Sequence, residues 1–161
     1  MRFTADELIF AALVFLPVCH NHHWSLYCIN RYHNQIDILD PLDWAQKEDQ
    51  DRYHAAICGP IQERLNELLY VFTNGVFPAI GQWDMPYVPV PKQKIRSNDC
   101  VFFCMLYMEN YKGSTREMDI SFESLKGNEI RAQFLHYLIF HKQNKAPHPF
   151  PIFIEVMDSE G

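Results

Sequence analysis

Apolar positions along this 161-residue chain fall into blocks whose period shifts from two to about 3.6. Residues 8–18 are an almost unbroken apolar run, which reads as a buried strand or as a short helix followed by a strand. Residues 24–30 (WSLYCIN) predict a further strand with Trp24, Leu26 and Cys28 on one face. After a polar turn at 31–34, residues 35–39 (QIDIL) alternate Ile36 and Ile38 with polar partners. The two segments predict a hairpin in a sheet. Asp40-Pro41 closes its second strand, because proline has no N–H for the ladder and biases its predecessor toward extended geometry.

From residue 49 to 72 the period becomes helical, with Ile57, Ile61, Leu65, Leu68 and Phe72 three or four apart. Asn74-Gly75 supplies the stop, and Pro60 either kinks this helix or starts its main part. Residues 78–98 carry Pro78, Pro86, Pro89 and Pro91, so they predict an extended surface connection with one short strand around 87–90. Asn98-Asp99-Cys100 then opens the apolar stretch VFFCMLYMENY. Asp99 is its expected N-cap, Phe103, Leu106 and Tyr107 form its inward face, and Gly113 ends it. A last helix is expected over 129–141. The tail from Lys142 is proline-rich, then briefly apolar (IFIEV), and is expected to be disordered or an added edge strand. Strand, strand, helix, long connection, helix, helix make a mixed α/β or α+β domain.

Composition narrows the function classes. A hydrophobic share of 48% and a charged share of 21% are those of a folded globular protein, and the length suits one domain. The net charge is -6, and the 14 basic residues are scattered, so nucleic acid is not the expected partner. Five cysteines (19, 28, 58, 100, 104) without regular spacing argue for free thiols in the nucleus or cytoplasm rather than a disulfide framework. The run at 8–18 follows Asp6 and Glu7 where a signal peptide has positive charge, and it is too short to span a bilayer. No membrane association is expected. Cys19, His20, His22 and His23 are zinc-ligating residue types, but they crowd together without spaced pairs, so no metal or cofactor is expected.

The chemistry-bearing candidates are three. Cys100 stands at the first turn of a predicted helix, where unpaired N–H groups and the helix dipole favour a thiolate. Taken alone it is more often a buried core thiol, as Cys104 one turn later is expected to be. A thiolate nucleophile needs a base, and the base needs a third group to fix its tautomer. His23 opens the first strand of the hairpin and Asp40 closes the second, which puts both at one edge of the sheet. Taken separately, His23 is a surface histidine and Asp40 part of a plain Asp-Pro turn. The three meet if the helix bearing Cys100 points its N-terminus at that edge.

Joined in order, VFLPVCHNHHWSLYCIN, ILDPL and PKQKIRSNDCVFFCMLYME resemble the papain-like proteases of ubiquitin-like modifiers, the SUMO (sentrin)-specific family, and within it the divergent plant members. The resemblance runs from about Val14 to Tyr111. It implies a papain-like fold, a central mixed sheet flanked by helices, with a catalytic domain over 1–141 and a tail over 142–161. The family's upstream helical segment is not found, so an N-terminally truncated domain is expected. His23 then resembles the general base, Asp40 its orienting partner and Cys100 the nucleophile. Gln93 resembles the oxyanion-hole side chain, and Trp24 one wall of the tunnel that admits a Gly-Gly tail. Two positions depart from the family: Gln93 lies one residue further from the cysteine, and Val101 replaces the glycine that follows it.

The implied activity is cleavage after the C-terminal Gly-Gly of a ubiquitin-like modifier, through a thioester, with that modifier or its conjugates as partner and a monomer as the acting form. The alternative is a degenerate modifier-binding module with the same fold. A third reading, an acetyltransferase with the same triad architecture, would need a CoA pocket for which the sequence shows no counterpart.

Overall fold

The first apolar run becomes a helix and then a strand. Helix α1 (Ala5–Phe10) begins at Thr4, whose side chain accepts the Glu7 N–H while the Glu7 carboxylate accepts the Thr4 N–H at 2.8 Å, a capping box. Strand β1 (Leu13–His20) follows, then β2 (His23–Asn30) and β3 (Gln35–Leu39). The structure, a computed structural model, describes residues 4–94, 97–116, 118, 127–143 and 145. The chain divides into two compact units, residues 1–124 and 125–161; all the elements above lie in the first.

The three strands form an antiparallel sheet in the order β1-β2-β3, as the hairpin pattern predicts. Between β1 and β2 the turn has only two central residues, Asn21 and His22, with φ of 46° and 61°. Positive φ at both positions matches the turn to the right-handed twist of the strands. On its other side β3 meets a segment running parallel to it. The Ile36 N–H donates to the Asp84 carbonyl and the Val88 N–H to the Ile38 carbonyl, both at 2.9 Å. The strand expected around 87–90 is therefore a series of bridges placed slightly earlier, and Pro86 and Pro89 deny it a continuous ladder. With it the sheet is mixed in direction.

Helix α2 (Lys47–Phe72) passes through Pro60 as one element. Asn74 and Gly75, at φ 51° and 79°, end it, and the Gly75 N–H donates to the Tyr70 carbonyl at 2.8 Å. The stripe it buries differs from the expected one at the end: Leu69 is buried, whereas Leu68 and Phe72 are 64% and 51% exposed. Steps of four from Ile57 through Ile61 and Leu65 reach Leu69, and one residue back lies about 100° around the axis. Ile57, Leu69, Phe77 and Ile80 pack on Tyr27, Ile29, Ile36 and Ile38 of the sheet.

The opposite face belongs to α3 (Cys100–Asn110), which packs against β2 and buries Phe103, Cys104, Leu106 and Tyr107. With a layer on each side, β2 is buried from Ser25 to Asn30 at both parities, which is why its sequence shows little polar alternation. The second unit contains α4 (Gly127–Phe140), two residues ahead of the expected start. Apart from residues 142, 143 and 145, the tail lies outside the described residues. No helix among them is long and apolar enough to cross a membrane.

Candidate active site

The pleat of β2 places His23, Ser25 and Tyr27 on the face that α2 covers. Leu39 pairs with Leu26 at the end of the ladder, so Asp40, the next residue, leaves β3 at the end of the sheet where β2 begins and comes within reach of His23. His23 Nε2 donates to Asp40 Oδ1 at 2.7 Å. A carboxylate only accepts, so the bond fixes the proton on Nε2 and leaves the lone pair on Nδ1. The His23 side chain is 12% exposed, while that of Asp40 is 1% exposed.

Asp40 is saturated with donors. Oδ1 also accepts the Leu42 N–H at 2.9 Å, and Oδ2 accepts Trp44 Nε1–H at 2.6 Å and His54 Nε2 at 2.9 Å. Burial works to raise its pKa. The hydrogen bonds, those of His23 and His54 foremost, outweigh burial and hold the carboxyl well below the usual carboxylate range. Asp40 is an anion with fixed orientation at neutral pH.

Tyr53 of α2 binds the turn that carries His23. Its hydroxyl donates to the His20 carbonyl at 2.7 Å, and its ring stands edge-on to His23 with centroids 5.8 Å apart. Burial, followed by the charges of Asp40, Cys19 and Cys100, pushes its pKa up to about 12. The phenol thus lies within electrostatic range of both Asp40 and Cys100.

Cys100 is the first residue of α3, 7% exposed, with Asp99 in the N-cap position. Asp99 makes no side-chain cap bond to the helix. Among the described residues the Cys100 thiol has no hydrogen-bond partner, so the His23–Asp40 pair is formed independently of it. Burial pushes the Cys28 and Cys104 thiols up, and the charges of Cys100 and Asp40 add to this at Cys104. Those two cysteines are core residues, as expected of Cys104.

The segment before α3 is strung between the Asp-Pro turn and the helix. Gln93 N–H donates to the Pro41 carbonyl and Lys92 Nζ to the Asp40 carbonyl, both at 2.7 Å, and the Tyr107 hydroxyl donates to the Pro91 carbonyl. Gln93 is 7% exposed, and its Oε1 is buried with no partner among the described residues. Trp24 follows His23 in β2, pairs with Cys19 of β1 and is half-buried. Cys19 is exposed, and the described residues contain no group of three His, Cys, Asp or Glu side chains placed to hold a metal.

Sequence reasoning did not reach Trp44, Tyr53 or His54. Trp44 sits in an aperiodic stretch, and Tyr53 and His54 precede the helical stripe by one turn. The signal for His54 was its spacing: three residues before Ile57, it extends the apolar face with an imidazole.

The α+β fold, with antiparallel hairpin, covering helices and a cysteine at the start of α3, is that of the papain-like cysteine proteases. Within that class the chain belongs to the Ulp1 protease family, whose C-terminal catalytic domain matches residues 2–142. Solved structures agree in fold. A C-terminal Ulp1 protease domain in complex with SMT3, the yeast orthologue of SUMO, superimposes with a TM-score of 0.55 at 18% identity. It covers 84% of this chain and 54% of that one. The SUMO protease Ulp1 with its catalytic cysteine oxidised to a sulfenic acid gives the same TM-score, identity and shares. The chain thus spans about half the length of these structures. None of the curated proteins matches it.

Proposed function

We propose that this chain is a cysteine peptidase that cleaves after the C-terminal Gly-Gly of a ubiquitin-like modifier, in precursors or isopeptide conjugates. The single observation that carries this is the 2.7 Å bond between His23 Nε2 and Asp40 Oδ1 in a domain of this family. It leaves Nδ1 as the basic nitrogen, the one a thiol proton would reach. In the proposed reaction His23 Nδ1 takes the Cys100 proton and the sulfur attacks the glycine carbonyl carbon. The C–N bond breaks, the leaving amine takes the proton from His23, and water then hydrolyses the thioester with His23 again as base. Gln93, through its side-chain NH2, and the Cys100 N–H would donate to the oxyanion. Trp24 would line the path of the Gly-Gly tail. Thiol chemistry needs reducing surroundings, which favours the nucleus or cytoplasm, and the chain is taken to act as a monomer.

The test is a ubiquitin-like modifier carrying a C-terminal electrophile, offered under neutral reducing conditions. Covalent addition at Cys100, lost in Cys100→Ala, is expected; an unmodified Cys100 would sink the proposal. Val101, half-buried beside the thiol where the family has glycine, favours a second reading, a modifier-binding module without turnover. That module would bind the modifier equally well with or without the Cys100 sulfur and cleave nothing.

A further inference from the structure

Asp40 Oδ2 faces away from His23 and toward α2, where it is held by Trp44 and His54. His54 is 1% exposed and both its ring nitrogens are engaged: Nε2 lies 2.9 Å from Asp40 Oδ2 and Nδ1 2.6 Å from the Tyr27 hydroxyl. Since a carboxylate only accepts, Nε2 carries a proton. Burial pushes the Tyr27 phenol far up, so its proton stays on and is the one shared with Nδ1. The bonds therefore run in one direction, from Tyr27 to His54 to Asp40. The ring is boxed by Tyr27, Tyr53 and Tyr87, edge-on with centroids 5.8, 5.1 and 5.4 Å away. An imidazole is a costly filler for such a box unless both nitrogens are used, as here.

We propose that His54 is a positioning residue of this site: backed by Tyr27, it holds Oδ2 of Asp40 so that Oδ1 is presented to His23. This rests on the protease reading for its consequence in rate, though the relay itself is a matter of hydrogen bonds. Asp40 has two torsions, and a bond to His23 alone would not stop the carboxylate turning. Donors on both oxygens, His23 and the Leu42 N–H on Oδ1 and Trp44 and His54 on Oδ2, fix the plane of the group and with it the plane of the His23 ring.

Three variants of the full chain test it: His54→Phe, His54→Gln and Tyr27→Phe. The measurement is adduct formation at Cys100 with the electrophilic modifier, resolved into half-saturating concentration and limiting rate. His54→Phe is expected to lower the limiting rate about 10- to 100-fold, the worth of a hydrogen bond to a charged group, with the half-saturating concentration unchanged. His54→Gln, which keeps an N–H donor, recovers most of it, and Tyr27→Phe falls between. A space-filling role predicts the reverse order, because Phe matches the volume and apolar setting better than Gln; Phe at or above Gln overturns the proposal. Should the variants fail to fold, the ring 15N spectrum of the unmutated chain decides. An Nε2–H tautomer at neutral pH is expected, and an Nδ1–H tautomer overturns the relay. If the unmutated chain forms no adduct, the protease reading falls while that spectrum still decides the relay.

Discussion

The Gln93 N–H donates to the Pro41 carbonyl at 2.7 Å, which fastens the residue proposed for the oxyanion hole to the residue after Asp40. Among the described residues its side-chain Oε1 has no partner. Gln93→Ala is expected to lower turnover of a modifier fused to a reporter about 10²–10³-fold. Stability should change by less than about 1 kcal/mol, since no side-chain bond of Gln93 to the described residues is removed. A rate loss matched by an equal fall in melting temperature would assign Gln93 to the fold instead.

Asp40 also ties stability to pH. Its pKa is lowered on folding from an ordinary value of 3.8, so its contribution is complete above about pH 4 and is lost as the pH falls toward its folded value. The melting temperature, followed from pH 7 to pH 2, is expected to drop below about pH 4. Asp40→Asn should lower it at neutral pH by the equivalent of roughly 3 kcal/mol and flatten the acid slope. An acid slope unchanged in Asp40→Asn would show that other carboxyls carry it.

Leu68 and Leu69 are neighbours with opposite fates. Leu69 is 7% exposed and Leu68 64%. Urea unfolding should show Leu69→Ala losing about 2–5 kcal/mol and Leu68→Ala less than about 0.5 kcal/mol. Equal losses would mean that α2 is rotated from the position described.

Thiol labelling separates the cysteines. Burial raises the Cys28 and Cys104 pKa values, and both thiols are less than 2% exposed. Iodoacetamide at pH 7.5 or so should leave both untouched in the folded chain while exposed Cys19 reacts, as mass spectrometry of the digested protein would report. Early labelling of Cys104 would contradict the packing of α3 on β2.

How much of this was legible in the sequence depends on the range of the interaction. The hairpin could be read because a period of two and a polar turn are local, and it alone brought His23 and Asp40 to one edge. Helix α2 was equally readable, but choosing Leu69 over Leu68 required following the stripe through its drift. The parallel pairing of residues 84–88 with β3 left no local trace, since Pro86 and Pro89 read as coil until a partner strand is present. His54 was hidden for a related reason. A histidine ahead of an apolar stripe has two ordinary meanings, and its partners lie 14 and 27 residues away.

The proposed base and the proposed nucleophile ride on different layers. His23 and its supports Tyr27, Tyr53 and His54 belong to the α2 side, while Cys100 rides on α3, packed against the other face of β2. A slip of one layer over the other would leave the bonds to the Asp40 carboxylate intact and still change the gap between sulfur and imidazole. Misplacement by about 1 Å is worth on the order of 10²-fold in rate. The packing of α3 on β2 therefore sets the reach of the chemistry, and loosening it would detune the site from a distance.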